Sequence, residues 1–122
     1  MDNRRTILIC DNDYAFLNEM EKGLSKEGFD VDTIDNASDL IPSAIRLQPH
    51  VILVNPDLPG FNEYDVCKNI IQEQRAQVIL LVDPHSTTTS MVGECMIEDV
   101  LTRPVKLADL VFLVVKHLSV DQ

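Results

Sequence analysis

Val51-Ile52-Leu53-Val54-Asn55-Pro56-Asp57-Leu58-Pro59-Gly60 is the stretch on which the fold turns. Its first four residues are apolar without alternation, as in a strand covered on both faces of a parallel sheet. The remaining six carry two prolines and a glycine, which makes them a loop. Similar apolar runs lie on either side. Upstream, Thr6-Ile7-Leu8-Ile9-Cys10 ends at Asp11-Asn12-Asp13, the pattern of a buried strand followed by a helix start. Downstream, Val78-Ile79-Leu80-Leu81-Val82 is another buried strand, stopped by Pro84.

The segments between these strands have helical spacing. Phe16, Leu17, Met20 and Leu24 recur from Ala15 to Lys26, and Gly28 ends that helix. Asp30 to Ile34 alternates polar and apolar residues, as a half-exposed strand does. Ser38 to Leu47 is a second amphipathic helix, with Pro42 near its first turn and Pro49 closing it. A helix is expected across Asp65 to Gln74, with Val66, Cys67, Ile70 and Ile71 inward. The hydroxyl-rich run Ser86 to Ser90 leads into a weak helix containing Met91, Val92 and Met96. Val100-Leu101-Thr102 is a brief strand, and Leu107 to Leu118 is the last helix.

Alternating strands and helices with buried central strands imply an α/β fold with a parallel sheet covered on both faces. In such sheets ligands sit beyond the carboxyl ends of the strands. Those ends hold Asp11, Asn12 and Asp13, then Asn55, then Val82 and Asp83, then Arg103.

Composition narrows the function. A length of 122 residues predicts one domain, residues 1–122, able to bury a core of ordinary size. No apolar run approaches the roughly 20 residues that span a bilayer, and the run after Met1-Asp2-Asn3-Arg4-Arg5-Thr6 is too short for a signal peptide. A cytoplasmic protein without membrane contact is therefore expected. Of the three cysteines, Cys10 and Cys67 lie in apolar segments and read as buried thiols. A net charge of −10 argues against direct nucleic-acid binding by this domain, since such binding needs a basic footprint. Any DNA contact would come from another domain or chain.

An acidic pair after the first strand, an acceptor after the third, a Pro-Gly turn, and a basic residue followed by proline after the fifth make up a pattern that resembles the response-regulator receiver family. Val51 to Cys67 looks like the family's third strand, loop and following helix, and Val100 to Val105 resembles its last strand and Lys-Pro step. The resemblance covers essentially the whole chain. It implies a flavodoxin-like (βα)5 fold, a five-stranded sheet of order 2-1-3-4-5 with helices on both faces. It also implies a module of two-component signalling, such as the N-terminal part of a longer regulator.

The family's chemistry needs an aspartate nucleophile, carboxylates that hold Mg²⁺, a lysine and a Ser or Thr hydroxyl that meet the phosphoryl group, and an aromatic side chain that reads the change. Here the acceptor position is Asn55, whose amide is a poor nucleophile. The acidic pair is Asp11 and Asn12. The switch positions are Val82, without a hydroxyl, and Val100, too small to act as the aromatic reader. The lysine position is Arg103, which keeps the charge but has a planar fork. Asp13 reads as a helix cap.

Together these departures imply loss of the whole device. No catalysis and no cofactor are expected. Arg103 is expected to pair with Asp11 or to hydrogen-bond Asn55, in a closed network that needs no metal. The alternative keeps phosphotransfer, through Asp57 as surrogate acceptor or with Asn55 standing where the natural residue is aspartate. Only then is Mg²⁺ expected, held weakly by Asp11 and Asp57 at most. Ser86 and the threonines after it read as helix caps, and His85 as a solvated loop residue.

The last helix is more apolar than one buried face needs. Leu107, Leu110, Val111, Val114 and Leu118 form the inward stripe, and Phe112, Leu113 and Val115 flank it. A constitutive contact surface for a protein partner or a homodimer is expected there, on the face of the fourth helix, fifth strand and fifth helix.

Overall fold

The structure is a computed structural model that describes residues 5–84, 91–92, 95–97 and 99–119. Its elements are β1 (Thr6–Cys10), α1 (Tyr14–Lys26), β2 (Asp30–Ile34), α2 (Leu40–Leu47), β3 (Val51–Val54), α3 (Glu63–Val66), β4 (Gln77–Val82), β5 (Met91–Val92), β6 (Cys95–Met96), β7 (Asp99–Thr102) and α4 (Leu107–Ser119). One 3₁₀ turn, Ala37–Asp39, leads into α2, and α3 continues as a π-helical stretch, Cys67–Gln72.

Five strands pair in parallel in the order β2-β1-β3-β4-β7, which is the expected 2-1-3-4-5 sheet. The apolar run of each central strand is split by the pleat between two cores. Ile7, Ile9, Leu53, Ile79 and Leu81 face one side, with Phe16, Leu17, Met20 and Leu24 of α1 and Leu110, Val114 and Leu118 of α4. Leu8, Cys10, Ile52, Val54 and Leu80 face the other, with Leu40 and Ala44 of α2 and Val66 and Ile70 of the α3 segment. The edge strands β2 and β7 are only partly covered, which accounts for the alternation in β2. A Cβ on Gly23 would collide with the Leu107 side chain, so a glycine in mid-helix lets α1 approach α4.

Three sequence expectations are corrected here. The segment expected as the fourth helix instead holds β5 and β6, paired antiparallel with Met91 opposite Met96 and Val92 opposite Cys95. Short β-compatible pairs flanking Gly93 suit a hairpin at least as well as a helix, since glycine is a poor helix former. Among the described residues the expected partner face therefore has no helix between β4 and β7. Next, Cys67 is disulfide-bonded, whereas Cys10 is a free buried thiol. β6 packs against the π-helical stretch that carries Cys67, a proximity that a helix at this place did not suggest. Finally, Leu113 is half-buried against the α1-side core, while Phe112 is 70% and Val115 46% exposed. His85 and Ser86 to Ser90 lie outside the described residues. No helix among the described residues is long and apolar enough to cross a membrane.

Candidate functional site

The site lies at the carboxyl ends of β1, β3 and β7. Asp11 follows β1 directly, and its backbone N–H donates to the Ile34 carbonyl at 3.1 Å, which extends the β1–β2 ladder by one step. Asn55 is held the same way after β3, its N–H donating to the Cys10 carbonyl at 2.9 Å. Arg103 follows β7, its N–H donating to the Val82 carbonyl at 2.8 Å, and a cis peptide joins it to Pro104. Main-chain sheet bonds thus set the three positions before any side-chain contact is made.

Their side chains converge on Asp11, which is 1% exposed. Its Oδ1 accepts the Asn12 backbone N–H at 2.8 Å and the Asn55 Nδ2–H at 3.2 Å. Its Oδ2 is ion-paired with the Arg103 guanidinium. The Asn55 amide has one possible orientation, because its Oδ1 accepts the Asp57 backbone N–H at 2.9 Å and a backbone N–H can only donate. Its Nδ2 must then face the carboxylate. The Arg103 guanidinium lies over the Phe16 ring, 5.0 Å from the centroid, which adds a cation–π contact. The expected pairing of Arg103 with Asp11 is present, and Asn55 joins from the opposite oxygen.

Other expected positions stand apart. Asn12 contributes its backbone, and its side chain is exposed. Asp13 caps α1, accepting the Phe16 N–H at 3.1 Å. Val82 packs on the α2-side core. Val100 lies on β7 opposite Leu80 and is 41% exposed. Asp57 is exposed, and its backbone N–H donates to Asn55 Oδ1. Phe16 is the member of the site that the sequence did not indicate. Its place in the α1 stripe marks it as core, and a core phenylalanine carries no sequence signal of a guanidinium above it.

The Mg²⁺ that the family pattern implies does not fit these residues. Magnesium needs near-octahedral oxygen ligands at about 2.0–2.1 Å with lone pairs to give. Asp11 Oδ1 already accepts two N–H donors, Asp11 Oδ2 is paired with a cation, and Asn55 Oδ1 accepts a backbone N–H, which leaves at most one lone pair on each of the last two. A divalent ion about 4 Å from the guanidinium would meet roughly 8 kcal/mol of repulsion at an effective dielectric near 20. Among the described residues no group of three His, Cys, Asp or Glu side chains forms a metal-ligating set. A neutral, engaged amide at the acceptor position offers no nucleophile either.

One further group is strongly perturbed nearby. Burial, followed by the charges of Asp11, Asp35 and Asp39, pushes the Cys10 thiol from an ordinary 9.0 up to about 12. Its Sγ donates to the Asn36 carbonyl at 3.4 Å.

Comparison with known proteins agrees with this fold. Residues 7–114 match the family model of the response regulator receiver domain. The DNA-binding response regulators MtrA of Mycolicibacterium smegmatis and Mycobacterium tuberculosis are each 28% identical over 109 residues, covering 88% of this chain and 48% of theirs. The chain thus spans about half the length of the curated relatives it matches. Among solved structures, a CheY-like response regulator receiver domain protein from Methanospirillum hungatei superposes with a TM-score of 0.83 at 20% identity, covering 96% of this chain and 95% of that one. A receiver domain protein from Clostridium thermocellum does so at 0.81 and 17%, with 96% of both chains covered. The sheet order, the strand-end site and a family match across most of the chain place it in the response regulator receiver domain family.

Proposed function

We propose that this chain is a degenerate receiver, a cytoplasmic, non-enzymatic signalling module that acts by protein contact without aspartyl phosphorylation. The observation that supports this is the Asn55 amide, which is spent on Asp11 and on the Asp57 backbone where the family has a free nucleophile. Within a longer regulator, DNA contact of the kind named for the MtrA proteins would fall to a separate segment, since this chain carries a charge of −10.

The test is incubation with acetyl phosphate and Mg²⁺ followed by intact mass measurement. The expected result is an unmodified mass, for the natural chain and for Asn55→Asp. A stoichiometric phosphoryl adduct on the natural chain overturns the reading, and an adduct mapped to Asp57 selects the surrogate-acceptor alternative.

The outer face of α4, with Phe112 and Val115 exposed, and Val100 of β7 are the proposed contact surface. Burying Phe112 is worth about 2 kcal/mol, roughly a thirtyfold change in the affinity of any self-association it joins. Light scattering is expected to show a mass above the monomer at high concentration, and Phe112→Glu is expected to return it to the monomer. A strict monomer at every concentration removes self-association from the reading.

A further inference from the structure

We infer that Arg103 keeps this site closed to divalent cations even when an acid is restored in place of Asn55. The inference rests on the reading of the site as a degenerate receiver and assigns its metal exclusion to one side chain. The formal charges of Asp11 and Arg103 cancel where the two meet, so the site offers a cation no net negative charge. The guanidinium is a fixed counter-ion. It is held on one edge by Asp11 Oδ2 and on its face by the Phe16 ring, and its side chain is only 20% exposed. An ammonium on a flexible stem could withdraw from an arriving metal, but this planar group is pinned on two sides.

Restoring an acid at the acceptor position does not undo this. Asn55→Asp places a second carboxylate beside Asp11, within the same pocket of charge. Arg103 has donors beyond the one that meets Asp11, and a guanidinium can bridge two carboxylates. The new carboxylate is then neutralised by the resident cation before a metal arrives. Removing the guanidinium as well leaves two adjacent carboxylates with no counter-ion, which is the arrangement a divalent cation stabilises.

The experiment titrates Mn²⁺ as the probe, following free ion by electron paramagnetic resonance, on the natural chain, Asn55→Asp, and Asn55→Asp with Arg103→Gln. Far-UV circular dichroism checks the fold of each. The natural chain and Asn55→Asp are expected to show no saturable binding below millimolar ion. The double variant is expected to bind at least about tenfold more tightly, the scale on which a neighbouring group tunes metal affinity. Asn55→Asp alone binding as tightly as the double variant overturns the assignment, and so does saturable binding by the natural chain. If the Gln variant does not fold, Arg103→Lys in the Asn55→Asp background takes its place: its ammonium can withdraw from the metal on a flexible stem, so a smaller gain over Asn55→Asp is expected, and no gain overturns the assignment. The readout is independent of phosphorylation. A phosphoryl adduct on the natural chain would end the functional reading, whereas equal Mn²⁺ affinities would end only the role given to Arg103.

Discussion

Arg103→Met lowers the unfolding free energy by about 3 kcal/mol, read as a shift of the urea midpoint at unchanged slope. The Asp11 carboxylate is 1% exposed, so it cannot exchange its lost counter-ion for water without opening the site. Removing one partner of such a pair costs roughly 3–5 kcal/mol because a charge is left buried. The Asn12 and Asn55 donors remain on Oδ1 and hold the loss to the lower end of that range. Methionine keeps an apolar stem against Phe16, so the change reports the charge and not the packing. The reverse truncation, Asp11→Asn, is milder, because the charge it strands is the less buried of the two and keeps its contact with the Phe16 ring. The double variant recovers part of the loss, since a site with neither charge has none to strand. A loss under about 1 kcal/mol for Arg103→Met would put the pair in the class of exposed ion pairs.

That pairing was legible in the sequence because charge leaves few choices. Asp11 and Arg103 are opposite charges at the same carboxyl edge of one parallel sheet, with the neutral Asn55 on a strand between theirs. The strands were legible for a similar reason. Unbroken apolar runs such as Val51 to Val54 have no solvent face to offer, and each is bounded by Pro, Gly or an Asp/Asn cluster. What failed was local and short. Met91, Val92 and Met96 fit a weak helical stripe as well as two strand ends, and only pairing decides between them. Leu113 and Phe112 lie on opposite flanks of the inward stripe on a helical wheel. The packing of α4 beside α1 and the sheet, which no wheel shows, half-buries the first and leaves the second in solvent. The Cys67 disulfide sits on a π-helical stretch that packs beside β6, a long-range contact that side-chain spacing does not encode.

The larger pH effect belongs to a residue outside the strand-end network. Cys10 lies on the α2 side of β1, one residue before Asp11, with its thiol fully buried. Burial and three nearby carboxylates hold that thiol neutral up to about pH 12, whereas in the unfolded chain it ionises near 9.0. Below pH 9 both states keep the proton and Cys10 adds no pH dependence. Above pH 9 the unfolded chain releases a proton that the folded chain retains, so stability falls by about 1.4 kcal/mol per pH unit until the folded thiol also ionises. Across the window from 9 to about 12 the loss is on the order of 4 kcal/mol. The measurement is a difference between two chains, so contributions common to both cancel. Urea unfolding of the natural chain and of Cys10→Val, repeated at intervals from pH 8 to 11, is expected to give curves that are parallel below pH 9 and converge or cross above it. Valine has no proton to lose, and its similar volume keeps the α2-side core filled. Curves that stay parallel to pH 11 would mean that the folded thiol ionises as readily as the unfolded one. That outcome would show that water reaches Cys10 at the base of the site, and that the network around Asp11 is not closed on that side.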